Sequence, residues 1–181
     1  SESLNLDSFK VIRKLQRALI DSYISDFTKH AGKLNSSHIQ STFSSVAKQI
    51  AQVRDGGLSR FKFKDVIKGR TGYREVSGPI EWLKASGLVI QVPIVNRSEI
   101  PLMSFTKENT FKLYFFDIGL LGAILDLGLK ELISFSFGIE KGAFSENFVA
   151  QELIAQGERQ LYSWMENTSE IEFLRNINSE L

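Results

Sequence analysis

The sequence contains no cysteine and only two histidines. The absence of cysteine excludes disulfide bonds and thiolate metal sites, and it is typical of a cytoplasmic protein. The histidines, His30 and His38, do not have the HExxH spacing of zinc proteases. The phosphate-binding pattern GxxxxGK(S/T) is also missing, so we expect neither ATP nor another cofactor in this chain.

Long apolar runs free of charge are missing as well. The N-terminal stretch SESLNLDSFKVIRK has no apolar core of the kind found in signal peptides. The most apolar stretch, LYFFDIGLLGAILDLGL, contains Asp117 and Asp126, which are costly inside a bilayer. We therefore predict a chain that does not enter a membrane.

The composition is that of a globular protein with ample material for a core. Of the 181 residues, 43% are hydrophobic and 14 are phenylalanine. The charged residues make up 24% and nearly cancel, leaving a net charge of +1. Any affinity for nucleic acid therefore has to come from a local cluster of basic residues.

Apolar residues at helical spacing predict two helices in the first third of the chain. One extends over residues 7–31, with Asp7 as its N-cap and Gly32 at its end, and the second begins near Ser36. The apolar stripe of the first helix consists of Ile12, Leu15, Leu19, Tyr23 and Phe27, and that of the second consists of Ile39, Phe43, Val46, Ile50 and Val53.

The next residues alternate between strand and helix patterns. Phe61 and Phe63 alternate with lysines and predict a short strand, which a short helix over residues 65–68 follows. Residues 73–86 predict another helix, in which Pro79 either causes a kink or marks the firm start.

Two β-rich runs then predict a long hairpin over residues 88–96 and 110–116, and Asp117 caps a helix after it. The order helix, short strand, helix, helix, strand, strand is that of a winged helix, a module whose third helix enters the DNA major groove. After residue 128 a separate unit is predicted, with a helix over residues 142–156 and two short strands, LYSWM and EIEFL.

These elements predict a fold of the α+β class that is mostly helical. We divide the chain into an N-terminal linker helix (1–35), a winged-helix-like domain (36–128) and an incomplete α/β unit (129–181).

Residues 60–74, which we call the basic segment, hold six cations and one acid, Asp65. Cations and free amides at the start of the helix that begins near Tyr73 suit phosphates or base edges. The alternative is that these lysines lie on an edge strand and only discourage aggregation. The candidate DNA-binding residues are Lys62, Lys64, Arg70, Thr71, Tyr73 and Arg74.

Glu146 shares a helix face with apolar residues, and a buried carboxylate needs a cation, a metal or a hydrogen-bond donor. The alternative is a glutamate near a helix start, held by the helix dipole. Glu146 and Glu172, on a strand, could share a divalent cation. Only nine residues follow Glu172 and none is lysine, so we expect no catalysis and no metal in this chain.

Five blocks occur in order along the chain: SYISDFTKHAGKLN, FKFKDVIKGRTGYREVSGPIEWLKASGLVIQV, FKLYFFDIGLL, GAFSENFVAQEL and LYSWMENTSEIEFL. Together they resemble the C-terminal half of a family of bacterial and archaeal AAA-type ATPases. The resemblance implies a preceding P-loop ATPase domain, absent here, which would bind ATP and Mg²⁺, so the chain would be a fragment. It also implies a winged helix followed by the start of a restriction-endonuclease-like domain of unknown function.

In such nucleases a helix Glu, a strand acid and a Glu-x-Lys strand form the site. The resemblance places Glu146 on the first position and Glu172 on the second, where the family usually has Asp, and it leaves the Glu-x-Lys strand outside this chain. It implies a non-catalytic regulatory module that responds to its own ATPase domain and contacts duplex DNA. The alternatives are part of a metal-dependent nuclease, or a protein-docking module that forms a homodimer at an unfinished sheet edge.

Overall fold

The computed structural model describes residues 6–53, 57–134, 141–166 and 169–175. These residues form the α+β, mostly helical fold that the sequence predicts. The helices are α1 (Leu6–Ala51), α2 (Tyr73–Ala85), α3 (Ile118–Ile124), α4 (Leu129–Ser134) and α5 (Lys141–Ala155), with a 3-10 helix at Leu102–Phe105. The strands are β1 (Val89–Val95), β2 (Thr106–Phe115), β3 (Tyr162–Glu166) and β4 (Ser169–Leu174).

Helix α1 bends at Gly32, which has the left-handed φ of +73° that favours glycine. The C-terminal half of α1 packs into the core through Phe43, whose ring lies 5.6 Å from that of Phe27. Before Gly32 the burial changes along the helix: Ile12, Leu15 and Leu19, the first three residues of the predicted stripe, are 43%, 66% and 43% exposed, whereas Phe27 is buried in the core. A polar contact attaches the first turns of α1: buried Arg13 donates from Nη2 to the carbonyl oxygen of Leu127 at 2.7 Å.

The basic segment contains neither the strand predicted at Phe61 and Phe63 nor the helix predicted over residues 65–68, and both predictions are wrong. The Phe61 amide donates to the carbonyl oxygen of Phe111 at 2.8 Å. The rings of Phe61 and Phe63 pack on Phe111 with centroids 6.4 and 5.7 Å away. Packing of these rings therefore takes the place of a strand ladder.

Helix α2 confirms the prediction for residues 73–86 and continues through Pro79. A proline inside a helix restricts the residue before it because its ring meets that residue's Cβ. That residue is Gly78, which has no Cβ, and this explains how α2 accommodates the ring.

The four strands form one sheet in the order β2-β1-β3-β4. β1 and β2 are the predicted hairpin, with Val92 paired to Lys112, and β2 begins earlier than predicted. β1 and β3 are parallel and share two pairs, Ile94 with Ser163 and Val95 with Trp164. The sheet and core thus include residues on both sides of position 128, and the three-domain division stays a prediction.

At the end of β2 a side chain of α5 pairs with the backbone of Phe115. Buried Asn147 on α5 accepts from the Phe115 amide at 2.7 Å and donates to the Phe115 carbonyl oxygen at 2.9 Å. Asp117 caps α3 as predicted, since its carboxylate accepts from the Leu120 amide at 2.7 Å.

Candidate functional site

All six cations of the basic segment are exposed: Arg60, Lys62, Lys64, Lys68, Arg70 and Arg74. Among the described residues, only Arg70 of this group forms an ion pair, with Glu75 at 3.5 Å. The lysines do not lie on an edge strand, because this segment forms none. The charges of all the basic residues in this segment therefore face solvent.

The start of α2 is not the free anion site that the sequence analysis expected. The Glu75 carboxylate accepts from the amides of Thr71 at 2.9 Å and Gly72 at 3.1 Å. These two hydrogen bonds, together with nearby Arg70, hold the pKa of Glu75 below its usual range. A carboxylate of the protein itself thus occupies the position where a phosphate was expected, and it offsets the charge of Arg70.

Tyr73 is half-buried, with its ring centroid 5.4 Å from that of Phe63 and 6.1 Å from that of Phe111. Its hydroxyl donates to Glu108 at 3.4 Å. Glu81 and Glu108 both line the groove of about 410 Å³ between α2 and the hairpin. Lys84 and Lys107 line the same groove, so its two acids are balanced by two lysines and it carries no excess of positive charge.

A second cluster lies around Lys112, which the sequence analysis did not single out. Its Nζ lies 2.5 Å from Glu170 Oε1, 2.5 Å from Glu172 Oε2 and 3.7 Å from Glu146 Oε2. The side chain of Lys112 is completely buried, whereas those of Glu146, Glu170 and Glu172 are 10%, 24% and 38% exposed. We call these four residues the lysine–carboxylate cluster.

The cluster joins the two strands at opposite edges of the sheet. In a flat sheet β2 and β4 would be about 14 Å apart, farther than a lysine and a glutamate side chain span together. The sheet must therefore curl, so that β4 approaches the face of β2 that carries Lys112. The inner face of β4 is its carboxylate face, while Ile171 is 45% exposed.

A bulge in β4 contributes to this arrangement. β4 has one more residue than β3 between two pairs of the ladder, Trp164–Ile171 and Tyr162–Leu174. Glu172 and Phe173, which lie in the bulge, both contact residues of β2. Glu172 contacts Lys112, and the Phe173 ring centroid lies 5.6 Å from that of Tyr114.

Glu146 is a buried acceptor at the centre of several donors. The Leu58 amide donates to both of its oxygens at 3.1 Å, and the Tyr114 hydroxyl donates to Oε2 at 3.0 Å. Burial raises the pKa of Glu146 above its ordinary value, although Lys112 and the Leu58 amide act against this. The same burial, next to the negative charge of Glu146, raises the pKa of the Tyr114 hydroxyl.

Lys112 keeps its charge despite its position. Burial acts to lower the pKa of Lys112, but the hydrogen bonds with Glu170 and Glu172 and the charge of Glu146 raise it above the usual lysine range. Glu146 and Glu172, the two candidates for a shared cation, both contact the ammonium group of Lys112. Within the described ranges, no group of three or more His, Cys, Asp or Glu side chains is arranged to hold a metal ion.

One feature of the sequence indicates that Lys112 is buried. It is the only charged residue in TFKLYFF, a run that is otherwise β-forming and apolar. A lysine in such a strand has to be buried on one face, and buried lysines need acidic partners.

Comparison with known proteins identifies one family. A family model described as "Domain of unknown function (DUF8612)" matches residues 3–131, a range that contains the basic segment and Lys112. No curated protein and no solved structure matches the chain. In the part of the chain that the structure describes, no helix has the length and apolar character to cross a membrane.

Proposed function

This chain belongs to the DUF8612 family, a family of domains of unknown function, and we propose that it is a non-catalytic regulatory module that contacts duplex DNA through its basic segment. The observation that carries the proposal is the exposure of six cations in residues 60–74, five of which have no acidic partner among the described residues. In a chain with a net charge of +1, this is a local surface of the kind that binds phosphates.

The test is the affinity for a labelled DNA duplex at several salt concentrations. The wild type should bind at low salt and weaken as salt rises, because phosphate contacts release counterions. Arg70→Ala/Arg74→Ala should weaken binding and flatten the salt dependence. Arg74→Ala should account for most of the change, since Glu75 already offsets Arg70.

The matched control is Lys10→Ala/Lys14→Ala, which removes two exposed cations from the N-terminal half of α1. It should leave the salt dependence near that of the wild type. A wild-type chain that does not bind duplex DNA at low salt would contradict the proposal.

The ATPase partner rests on the resemblance of the five sequence blocks to AAA-type proteins. If this chain regulates such a domain, duplex DNA should change the rate of ATP hydrolysis of the parent protein, and Arg74→Ala should require more DNA for the same change. A rate that DNA leaves unchanged would contradict a regulatory link.

A second candidate is part of a metal-dependent nuclease, favoured by the meeting of Glu146 and Glu172 at Lys112. It predicts nicking of supercoiled DNA with Mg²⁺ or Mn²⁺, lost in Glu146→Gln and Glu172→Gln. Nicking that persists in both variants would rule this candidate out.

A third candidate, homodimerisation, is favoured by β4 at the sheet edge with exposed Ile171, and sedimentation at several concentrations tests it.

A further inference from the structure

A cleft of about 390 Å³ lies between the C-terminal half of α1 and the first part of the basic segment. Ser41, Ser44 and Lys48 line it from α1, and Lys62, Lys64 and Asp65 line it from the opposite wall. We call it the lysine cleft.

The two walls of the cleft are joined by one amide side chain. Gln49 accepts from the Lys62 amide at 2.9 Å and donates to the Lys62 carbonyl oxygen at 2.8 Å. Its Nε2 also donates to the Ser45 hydroxyl at 3.2 Å. Because these bonds fix the backbone of Lys62 against α1, the cations on the two walls are held near one another before any ligand arrives.

The polar groups of the lysine cleft suit phosphate. Lys48, Lys62 and Lys64 are exposed and form no ion pair within the described residues, so three cations face one acid, Asp65. Ser41 and Ser44 are also exposed and add hydroxyl donors. Lysines, hydroxyls and amides are the groups that contact the DNA backbone, whereas pockets for small molecules are mostly apolar.

The neighbouring surfaces offer less net positive charge. Glu75 occupies the start of α2, and in the groove beside the hairpin the acids Glu81 and Glu108 balance Lys84 and Lys107. Among the described residues that line the cleft, Asp65 is the only acid that a DNA strand approaching from the α1 side would meet.

We infer that the lysine cleft holds a phosphate strand of duplex DNA, with Lys48 of α1 as a backbone contact alongside Lys62 and Lys64. This inference rests on the proposed DNA binding and specifies where the backbone lies. Contacts to phosphate carry no sequence information, so binding through the cleft is independent of DNA sequence.

The experiment compares Lys48→Ala/Lys62→Ala with Arg70→Ala/Arg74→Ala and Lys10→Ala/Lys14→Ala on two duplexes of unrelated sequence. Each pair removes two exposed cations, and unchanged circular dichroism confirms that each variant folds. The cleft pair should reduce the magnitude of the salt slope by about 2, since each phosphate contact contributes about 0.9. It should weaken binding to both duplexes by the same factor, and DNA should shift the amide resonances of Ser41 and Ser44.

The outcomes separate the two claims. If Arg70→Ala/Arg74→Ala weakens binding and the cleft pair acts like Lys10→Ala/Lys14→Ala, the cleft assignment is overturned while the proposed DNA binding stands. If the wild type does not bind at low salt, both are overturned. A cleft pair that weakens only one of the two duplexes overturns the phosphate-backbone assignment.

Discussion

Lys112 Nζ lies 2.5 Å from Glu172 Oε2, although the two residues are on opposite edge strands of the sheet. The contact is made possible by the curl of the sheet and the bulge in β4. It connects a residue within the matched family region to one outside that region.

Lys112→Met should destabilise the fold strongly, because it leaves the partly buried carboxylates without their cation. Removing one member of a buried ion pair costs about 3–5 kcal/mol. We expect the lower end of that range, since the Glu172 side chain is 38% exposed. Urea unfolding measures the change. Lys84→Met, which breaks an exposed pair with Glu81, should cost less than about 1 kcal/mol. Equal losses in the two variants would contradict the assigned role of Lys112.

Glu146 should make stability fall as pH rises. Burial raises its pKa in the folded chain, so the folded protein keeps this proton at pH values where the unfolded chain has lost it. Unfolding then releases a proton, and the free energy of unfolding decreases with pH from about pH 4.3 upward, until the folded-state pKa is passed. In Glu146→Gln this contribution is absent. The free energy of unfolding is measured with urea between about pH 4 and pH 7 for the wild type, Glu146→Gln and the control Glu131→Gln. It should decrease less with rising pH in Glu146→Gln than in the other two proteins. The same pH dependence in all three proteins would refute the prediction.

Gly57→Ala should disturb the lysine–carboxylate cluster. A Cβ at position 57 would overlap Glu146 Oε1 and lie 2.8 Å from Glu172 Oε1. Forcing extra atoms into a packed site costs about 1–3 kcal/mol.

Gly122→Ala is the matched control, because its Cβ would meet Arg13 at an ordinary 3.8 Å inside α3. There the better helix propensity of alanine should leave stability unchanged or raise it by up to about 1 kcal/mol. Thermal unfolding distinguishes the two variants, and a Gly57→Ala protein as stable as the wild type would show that the carboxylates move freely.

Glu75→Gln should tighten DNA binding. The amide oxygen of glutamine still accepts from Thr71 and Gly72, so α2 keeps its cap, but the charge that offsets Arg70 is gone. We expect higher affinity and a salt slope about 1 unit steeper, the value of one added phosphate contact. Asp21→Asn, which removes an exposed acid from the N-terminal half of α1, is the control for net charge. Equal gains in both variants would mean that total charge, and not the start of α2, decides the affinity.

Local patterns in the sequence predicted α2, the hairpin, the cap at Asp117 and the exposed cations of the basic segment. These features depend on neighbouring residues, whose spacing is visible in one stretch of chain. The stripe of α1 was a partial exception, because periodicity shows which residues share a face but not whether another element covers it. Ile12, Leu15 and Leu19 share a face and are exposed.

The lysine–carboxylate cluster was not predictable in the same way. Lys112 and Glu172 are 60 positions apart, and no local pattern reports a contact over that distance. The nine residues after Glu172 contain no lysine, whereas the sheet brings Lys112 to it from β2. The capping role of Glu75 could have been predicted from the sequence, since Glu75 lies three residues after Gly72, the spacing of a capping box.

The hairpin formed by β3 and β4 is attached to β1 through only two residue pairs. A ligand that pulled β4 outward would remove Glu170 and Glu172 from Lys112. Among the described residues this would leave Lys112 with Glu146, whose carboxylate also accepts from the Leu58 amide. Leu58 lies two residues before Arg60, the first cation of the basic segment. The C-terminal hairpin and the basic segment are thus connected through Lys112 and Glu146, and a partner that displaced β4 would break the first contact of this series.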